Sequence, residues 1–266
     1  MAFMQNYIID LIPFILSGAL VGLLVGLTGV GGGSLMTPLL TIVFGVAPTP
    51  AVGTDLAFAA ITKGVGTFAH RLHAQVNWTI VKLLCLGSLP SAILTILILK
   101  LVGPLGGGWP EFFKTAIGVS VLLTVVSLVF RAKLLRWIEA NPKFQLKGKP
   151  LQVATIFIGF FIGILVTISS IGAGAVGATF ILFLYPHLKP AQVAGTDIAY
   201  AVPLTGIAGI GHWWLGNVDF LLLIGLLIGS MPAIWMGAKL ANRLPEKHLR
   251  VVLASVLTLV GFKLVF

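Results

Sequence analysis

The chain has 266 residues, of which 58% are hydrophobic and only 9% charged. A soluble core of this size needs far more polar surface, so the composition identifies an all-α integral membrane protein in which lipid solvates helices that are apolar all round; the apolar segments lack the period-two alternation of a β-barrel. The formal net charge of +10 comes from Lys and Arg clustered in short connections, which reports orientation across a membrane and not nucleic-acid binding.

Apolar runs fall at roughly residues 7–27, 34–47, 51–72, 77–102, 111–130, 151–169, 175–187, 191–214, 217–240 and 248–266. They make ten helical elements, five on each side of a polar linker. Met1-Ala2-Phe3 carries no basic region or small-residue cleavage site, so the first run is expected to be a retained membrane segment. It ends in Thr28-Gly29-Val30-Gly31-Gly32-Gly33. The run after it is about a dozen residues long, too short to cross, since roughly 20 helical residues are needed. Such a segment reads as a broken or re-entrant helix, tolerated at membrane depth only where protein or a watery cavity covers it.

The third run holds Gly53-Thr54-Asp55, Lys63 and His70, and the fourth holds Cys85 and Gly87-Ser88-x-Pro90. Cys85 is the one cysteine, so it pairs with nothing in the chain and reads as a packing residue. The linker from Arg131 to Pro150 carries Arg131, Lys133, Arg136, Lys143, Lys147 and Lys149 against Glu139 and is expected in the cytoplasm. The chain therefore divides into a first membrane repeat (1–130), a basic linker (131–150) and a second membrane repeat (151–266).

The second repeat echoes the first. Its long first run ends in Ser169-Ser170-Ile171-Gly172-Ala173-Gly174, again followed by a short apolar run. Gly195-Thr196-Asp197 repeats Gly53-Thr54-Asp55, and without a gap His212 faces His70, Val218 faces Val76, and Gly229-Ser230-x-Pro232 faces Gly87-Ser88-x-Pro90. A carboxylate in an apolar segment costs several kcal/mol, so two at matched positions point to a shared site. If each short segment completes a return pass, each half crosses an odd number of times and the halves are inverted. Arg71, His73, Lys189, Arg243, Lys247 and Arg250 then join the linker inside, while connections near 46–50, 101–110 and 214–217 carry no Lys or Arg and lie outside, as the charge rule requires.

Each polar motif admits two readings. The Gly-Thr-Asp triplets follow Pro50 and Pro190 by a few residues, so Thr or Asp can cap a helix start, or the pair can line a site on the pseudo-twofold axis, where inverted-repeat transporters bind substrate. The glycine breaks either allow close helix packing or bare backbone N–H groups at helix starts near Ser34 and Val176 to receive an anion. Lys63, matched by Thr205, can contact an anion or pair with Asp55 or Asp197. His70 and His212 can couple protons or, as the position near helix ends favours, anchor those ends at the headgroups. Trp109, Trp137, Trp213 and Trp214 sit at helix ends as interfacial anchors.

Other chemistries find little support. There is no Cys pair, no His-x-x-x-His and no Gly-Lys-Ser/Thr after either glycine stretch, and the three glutamates, Glu111, Glu139 and Glu246, lie in or near connections. No acid or His stands near Ser169-Ser170 in the sequence to make a nucleophile–base pair. No metal, cofactor or enzymatic activity is expected.

The Gly-x-Gly-Gly-Gly stretch at Gly29 to Gly33 followed by Thr37-Pro38, Ala-Val-Gly-Thr-Asp at 51–55 and Val-Ala-Gly-Thr-Asp at 193–197 resemble the TauE/SafE family of sulfite and organosulfur anion transporters. The resemblance covers nearly the whole chain; Ala173 and Ala175 depart from the glycine-only first stretch. It implies a multi-pass permease of the bacterial or archaeal cell (inner) membrane that moves small sulfur-containing anions such as sulfite, sulfoacetate or thiosulfate.

Together these readings lead to a polytopic bundle of two inverted five-element repeats, the first two elements of each broken or re-entrant at a Gly-rich stretch. The expected function is alternating-access export of a small sulfur oxyanion; an anion channel and a proton-coupled uptake permease for sulfur compounds or small organic acids are the alternatives. Gly31, Gly32, Gly33, Ser34, Thr54, Lys63, Ser170, Gly172, Gly174 and Thr196 are expected to bind substrate, and Asp55, Asp197, His70 and His212 to couple or gate. A carboxylate repels an oxyanion, so the aspartates are expected to orient donors, pair with Lys63 or carry a proton. The expected partners are a small anion and the lipid bilayer, with a homodimer open and no nucleic acid.

Overall fold

The structure, a computed structural model, describes residues 2–28, 33–72, 76–102, 109–141, 145–241 and 246–265; side chains at 2–10, 25–28, 33–34, 65–72, 139, 238–239, 241, 246–253, 256 and 265 lie outside that description. The described residues form helices throughout, with no strand: α1 (Ala2–Thr28), α2 (Gly33–Ile42), α3 (Pro48–Leu72), α4 (Trp78–Val102), α5 (Trp109–Ala140), α6 (Lys149–Ser169), α7 (Ala175–Leu184), α8 (Pro190–Trp214), α9 (Phe220–Ala241) and α10 (Glu246–Val265). Five of them, α4, α5, α6, α8 and α9, are long and apolar enough to cross a bilayer. Backbone satisfaction explains the architecture: in hydrocarbon every N–H and C=O must find a partner within its own segment, and only a helix provides that locally. The lipid-facing sides are correspondingly apolar, with Leu16, Leu101, Val153 and Ile210 all more than half exposed.

Several helix boundaries differ from the sequence reading. Helix α5 continues through Arg131 to Ala140, because Arg131-Ala-Lys-Leu-Leu-Arg-Trp-Ile-Glu-Ala140 is rich in good helix formers; the charges of this part of the linker decorate a helix end. Helices α2 and α7 are 10 residues each, or about 15 Å, about half a hydrocarbon core. Helices α3 and α8 begin at Pro48 and Pro190, since proline suits the first helical turn. The Gly-Thr-Asp triplets therefore lie inside the helices, and the expectation that they cap their own helix starts is corrected.

Helices from the two halves interleave: α1 packs along α9, α4 along α6, α3 along α8 and α5 along α10. Gly18 and Gly22 of α1 lie against the backbone of Leu226 and Ser230 on α9, and Gly159 and Gly163 of α6 lie in the same way against Leu84 and Ser88 on α4. Gly87 and Gly229 complete these crossings, where a Cβ would run into the carbonyls of Ile156 and Ile15 respectively. This is the close small-residue packing by which helices associate in membranes. Within each crossing the residue numbers rise together, so α1 with α9 and α4 with α6 run parallel. Helices α3 and α8 run in opposite directions: Gly53 meets His212 and Asn217, Gly209 meets Ala57, and Asn77, just beyond α3, meets Thr196. Where they cross, a set of fully buried polar side chains gathers, including Thr37, Thr54, Asp55, Thr196 and Thr205.

Candidate functional site

The break between α6 and α7 is built by left-handed backbone. Ser170 has φ 58°, Gly172 φ 129° and Gly174 φ 147°, and at the last two only glycine escapes a clash between Cβ and the backbone. Ser169 holds the turn, its Oγ donating to Leu165 O at 2.7 Å and accepting from Ile171 N at 3.1 Å. Ala173 stands between the two glycines and offers its carbonyl, which explains why alanine serves there.

That carbonyl has a distant partner. Lys63 Nζ, on α3, donates to Ala173 O at 2.7 Å, and the two residues are 110 apart in sequence. Lys63 is only 6% exposed and lies within electrostatic reach of both Asp55 and Asp197. A buried ammonium is stable only when compensated, and here the compensation comes from one carbonyl and two carboxylates, one from each half. Thr205, at the matching position, turns back on its own helix and donates to Ala201 O at 2.8 Å.

Each aspartate meets the broken-helix region of its own half. Asp55 Oδ2 accepts from Thr37 N at 3.2 Å and from the Thr37 hydroxyl on α2. Asp197 lies near Gly174 at the start of α7 and within electrostatic reach of Arg131 on α5; its Oδ1 lies so close to Gly177 that a Cβ there would collide with it. The Asp55 carboxylate thus occupies a position where a free anion would be expected, on an N–H group of a short helix. Each aspartate also has one oxygen over. Asp55 Oδ1, Asp197 Oδ1, Ser170 Oγ and Tyr200 Oη are buried without a hydrogen-bond partner among the described residues, although Ser170 stands close to Asp55.

Thr54 and Thr196 tie the halves together. Thr54 Oγ1 accepts from Asp219 N at 2.9 Å, and Thr196 Oγ1 accepts from Asn77 N at 2.9 Å. Asp219 and Asn77 in turn cap the next helices: Asp219 Oδ1 accepts from Leu222 N at 3.0 Å and Asn77 Oδ1 from Thr79 N at 3.2 Å. Gly53 allows the Thr54–Asp219 contact, since a side chain there would strike Asn217 O and His212.

The structure brings Asp55, Lys63, Ser170, Gly174 and Asp197 together around the α6–α7 break, with Gly172 in the same turn. Gly31 and Gly32 lie outside the described residues; Gly33 and Ser34 open α2, and the side chains of Ser34 and His70 are likewise outside. His212 does not reach the headgroups: it is fully buried, its Nε2 2.9 Å from Thr167 O and its ring edge-on to Phe113 at 6.4 Å. Only the His212 face of the last turn of α8 is covered by α5 and α6, which hydropathy along one helix cannot reveal. By contrast Trp137, Trp213 and Trp214 are exposed at helix ends, with Lys100 Nζ 3.3 Å above the Trp214 ring. Sequence reasoning missed Thr37, Arg131, Tyr200 and the Ala173 carbonyl as parts of the site. Tyr200 had a signal, standing three residues after Asp197 on the same helix face; a backbone carbonyl had none.

Comparison with known proteins identifies the family. The family model described as Sulfite exporter TauE/SafE matches residues 14–264. The chain is 40% identical over 254 residues to a protein named probable membrane transporter protein YjnA of Bacillus subtilis, covering 96% of this chain and 99% of that one. It is 28% identical to the probable membrane transporter protein YdhB of the same organism, over 93% of this chain and 97% of the relative. With the probable membrane transporter protein MJ0441 of Methanocaldococcus jannaschii the identity is 27%, over 93% and 92%. No solved structure matches the chain. A bundle of long apolar helices, a buried charged cluster at a helix break and a family match across nearly the whole length leave one conclusion: this chain belongs to the sulfite exporter TauE/SafE family of membrane transporters.

Proposed function

We propose that the protein is a secondary transporter that exports a small sulfur-containing oxyanion such as sulfite or an organosulfonate across the cell (inner) membrane. The single observation that carries this reading is Lys63, buried at the α6–α7 break between one aspartate from each half. A buried cation in a cluster that also holds two buried hydroxyls without partners among the described residues, Ser170 Oγ and Tyr200 Oη, suits a compact anion, which brings oxygens able to accept hydrogen bonds. Lys63 supplies charge, Ser170 and the backbone at Gly172 and Gly174 supply donors, and Asp55 and Asp197 hold those donors in place. The described part of the first half contributes through Gly33 and Ser34 at the start of α2, with Gly31 and Gly32 assigned to the same role.

The proposed mechanism is alternating access of two inverted repeats about this site. Its support is the antiparallel α3–α8 pair, the parallel cross-half pairs and the reciprocal bonds of Thr54 to Asp219 and Thr196 to Asn77, all as expected of a pseudo-twofold axis in the membrane plane. In this reading residues 131–150 are cytoplasmic and Arg131, beside Asp197, marks the inner approach to the site. The connections at 46–50 and 214–217 are outside.

Export needs no further energy source. With the interior negative, each negative charge leaving gains about 2.3 kcal/mol per 100 mV. Proton-coupled uptake is the second reading, and the unpartnered oxygens of Asp55 and Asp197 favour it as proton carriers. Sulfite flux from proteoliposomes under an imposed potential and no pH gradient separates the two. Potential-driven efflux that ignores pH supports export; flux that appears only when a pH gradient is applied replaces it with coupling.

A further inference from the structure

The two halves of the site differ at one position where the difference is a single oxygen atom. Tyr200 on α8 is matched by Phe58 on α3, at the spacing that relates Asp197 to Asp55. Both rings are buried, Tyr200 at 0% and Phe58 at 1% exposure. The first half thus shows that the fold packs an aromatic ring at this place with no hydroxyl. In the second half the hydroxyl is present, fully buried and without any hydrogen-bond partner among the described residues.

A buried hydroxyl left unpaired costs about 1–3 kcal/mol, so it is an expensive way to fill space that phenylalanine fills in the other half. Tyr200 lies three residues after Asp197, on the same face of α8, and its oxygen is within electrostatic reach of Asp197 and of the Cys85 thiol. Asp197 in turn sits in the field of Lys63. The phenol O–H can donate, which Cys85 does only weakly and an aspartate carboxylate does not do at all.

We propose that Tyr200 Oη is a specificity-determining donor to the transported oxyanion, placed by the second half near Asp197, the carboxylate that also lies in the field of the Lys63 ammonium from the first. The inference rests on the reading that the Lys63 site binds an oxyanion. One ammonium alone attracts any small anion by charge. A second donor set at a fixed distance from it selects an anion whose oxygens are spread over a tetrahedral or pyramidal centre, and a single spherical ion such as chloride cannot meet both. Sites with buried polar groups reject ligands that leave those groups unpaired.

Purified Tyr200→Phe tests this beside wild type and Lys63→Gln, with sulfite, methanesulfonate and chloride as probes in binding and flux measurements, and with ligand-free thermal unfolding. Tyr200→Phe is expected to bind sulfite and methanesulfonate at least about tenfold more weakly, the worth of one hydrogen bond to a charged group, with chloride unchanged. Ligand-free stability should hold or rise, because an unpaired hydroxyl has been removed. Unchanged oxyanion affinity overturns the proposal, and so does a clear loss of ligand-free stability, which would make the hydroxyl a structural group. If wild type binds oxyanions and Lys63→Gln does not, while Tyr200→Phe binds as wild type does, only the role of Tyr200 fails. If wild type binds neither sulfite nor methanesulfonate, the oxyanion reading of the site fails with it.

Discussion

The two halves share a frame and divide the chemistry. At the crossings α1–α9 and α4–α6, glycines stand at matched places and touch matched backbone, and the threonines of both Gly-Thr-Asp triplets make the same 2.9 Å bond to the other half. In the polar interior the halves part company. Lys63 is answered by Thr205, Phe58 by Tyr200, and Asp55 takes two donors from Thr37 where Asp197 lies against Gly177. Packing between equivalent helices constrains both members of a pair alike. A single small substrate needs only one cation and one of each donor, so the interior is free to diverge.

The largest effects should come from breaking the shared frame. Gly87→Leu and Gly229→Leu each drive a side chain into a carbonyl of the facing helix, and overpacking of this kind costs about 1–3 kcal/mol or more. Both variants are expected to lose most folded protein, read as monodisperse yield after detergent extraction. If one folds normally and the other does not, the frame is less symmetric than its contacts.

The sharpest test of divided chemistry is Lys63→Met against Thr205→Val. The first leaves two buried carboxylates without their cation, an imbalance worth about 3–5 kcal/mol, and should reduce sulfite flux in proteoliposomes by about a hundredfold or more. The second removes a hydroxyl bonded to its own helix and should leave flux within about twofold of wild type. Equal losses in both would erase the distinction between the halves.

Asp55→Asn and Asp197→Asn should separate by a smaller margin. Hydrogen bonds to a charged group contribute about 1.5–3 kcal/mol each, and Asp55 accepts two from Thr37. Thermal unfolding should therefore fall further in Asp55→Asn, whereas flux should suffer in both because each carboxylate faces Lys63. A larger loss of stability in Asp197→Asn would assign the tighter network to the second half.

The smallest effects belong to the cross-half ties. Thr54→Val and Thr196→Val each strand one backbone N–H, at Asp219 and Asn77, at a cost of about 1 kcal/mol. The two should lower the unfolding temperature by the same amount within error. Unequal losses would show that one tie bears more of the contact between the halves.

Much of this organisation was legible before any coordinates. The helices were readable because apolar run length follows directly from bilayer thickness, and the shortness of α2 and α7 because a 10-residue helix cannot span it. The duplicated Gly-Thr-Asp marked α3 and α8, the two helices that pack along each other. Its meaning was another matter. Read as a helix start, it lies inside α3 and α8 because Pro48 and Pro190 begin those helices earlier, and its threonines cap nothing of their own. His212 looked like a headgroup anchor from its place near a helix end, yet neighbours from α5 and α6 enclose it.

By itself the sequence determined that this chain lives in a membrane, where its helices lie, that it is built twice, and which family it joins. These are properties of local composition and of residues compared along one chain, summed over a helix length. Only the tertiary structure decided that Lys63 reaches a carbonyl 110 residues away, that each threonine caps across to the other half, and that Tyr200 carries a buried oxygen with no partner among the described residues. Such contacts depend on how two helices cross, and that crossing is set by the glycine-lined packing of all the others, which no single segment encodes.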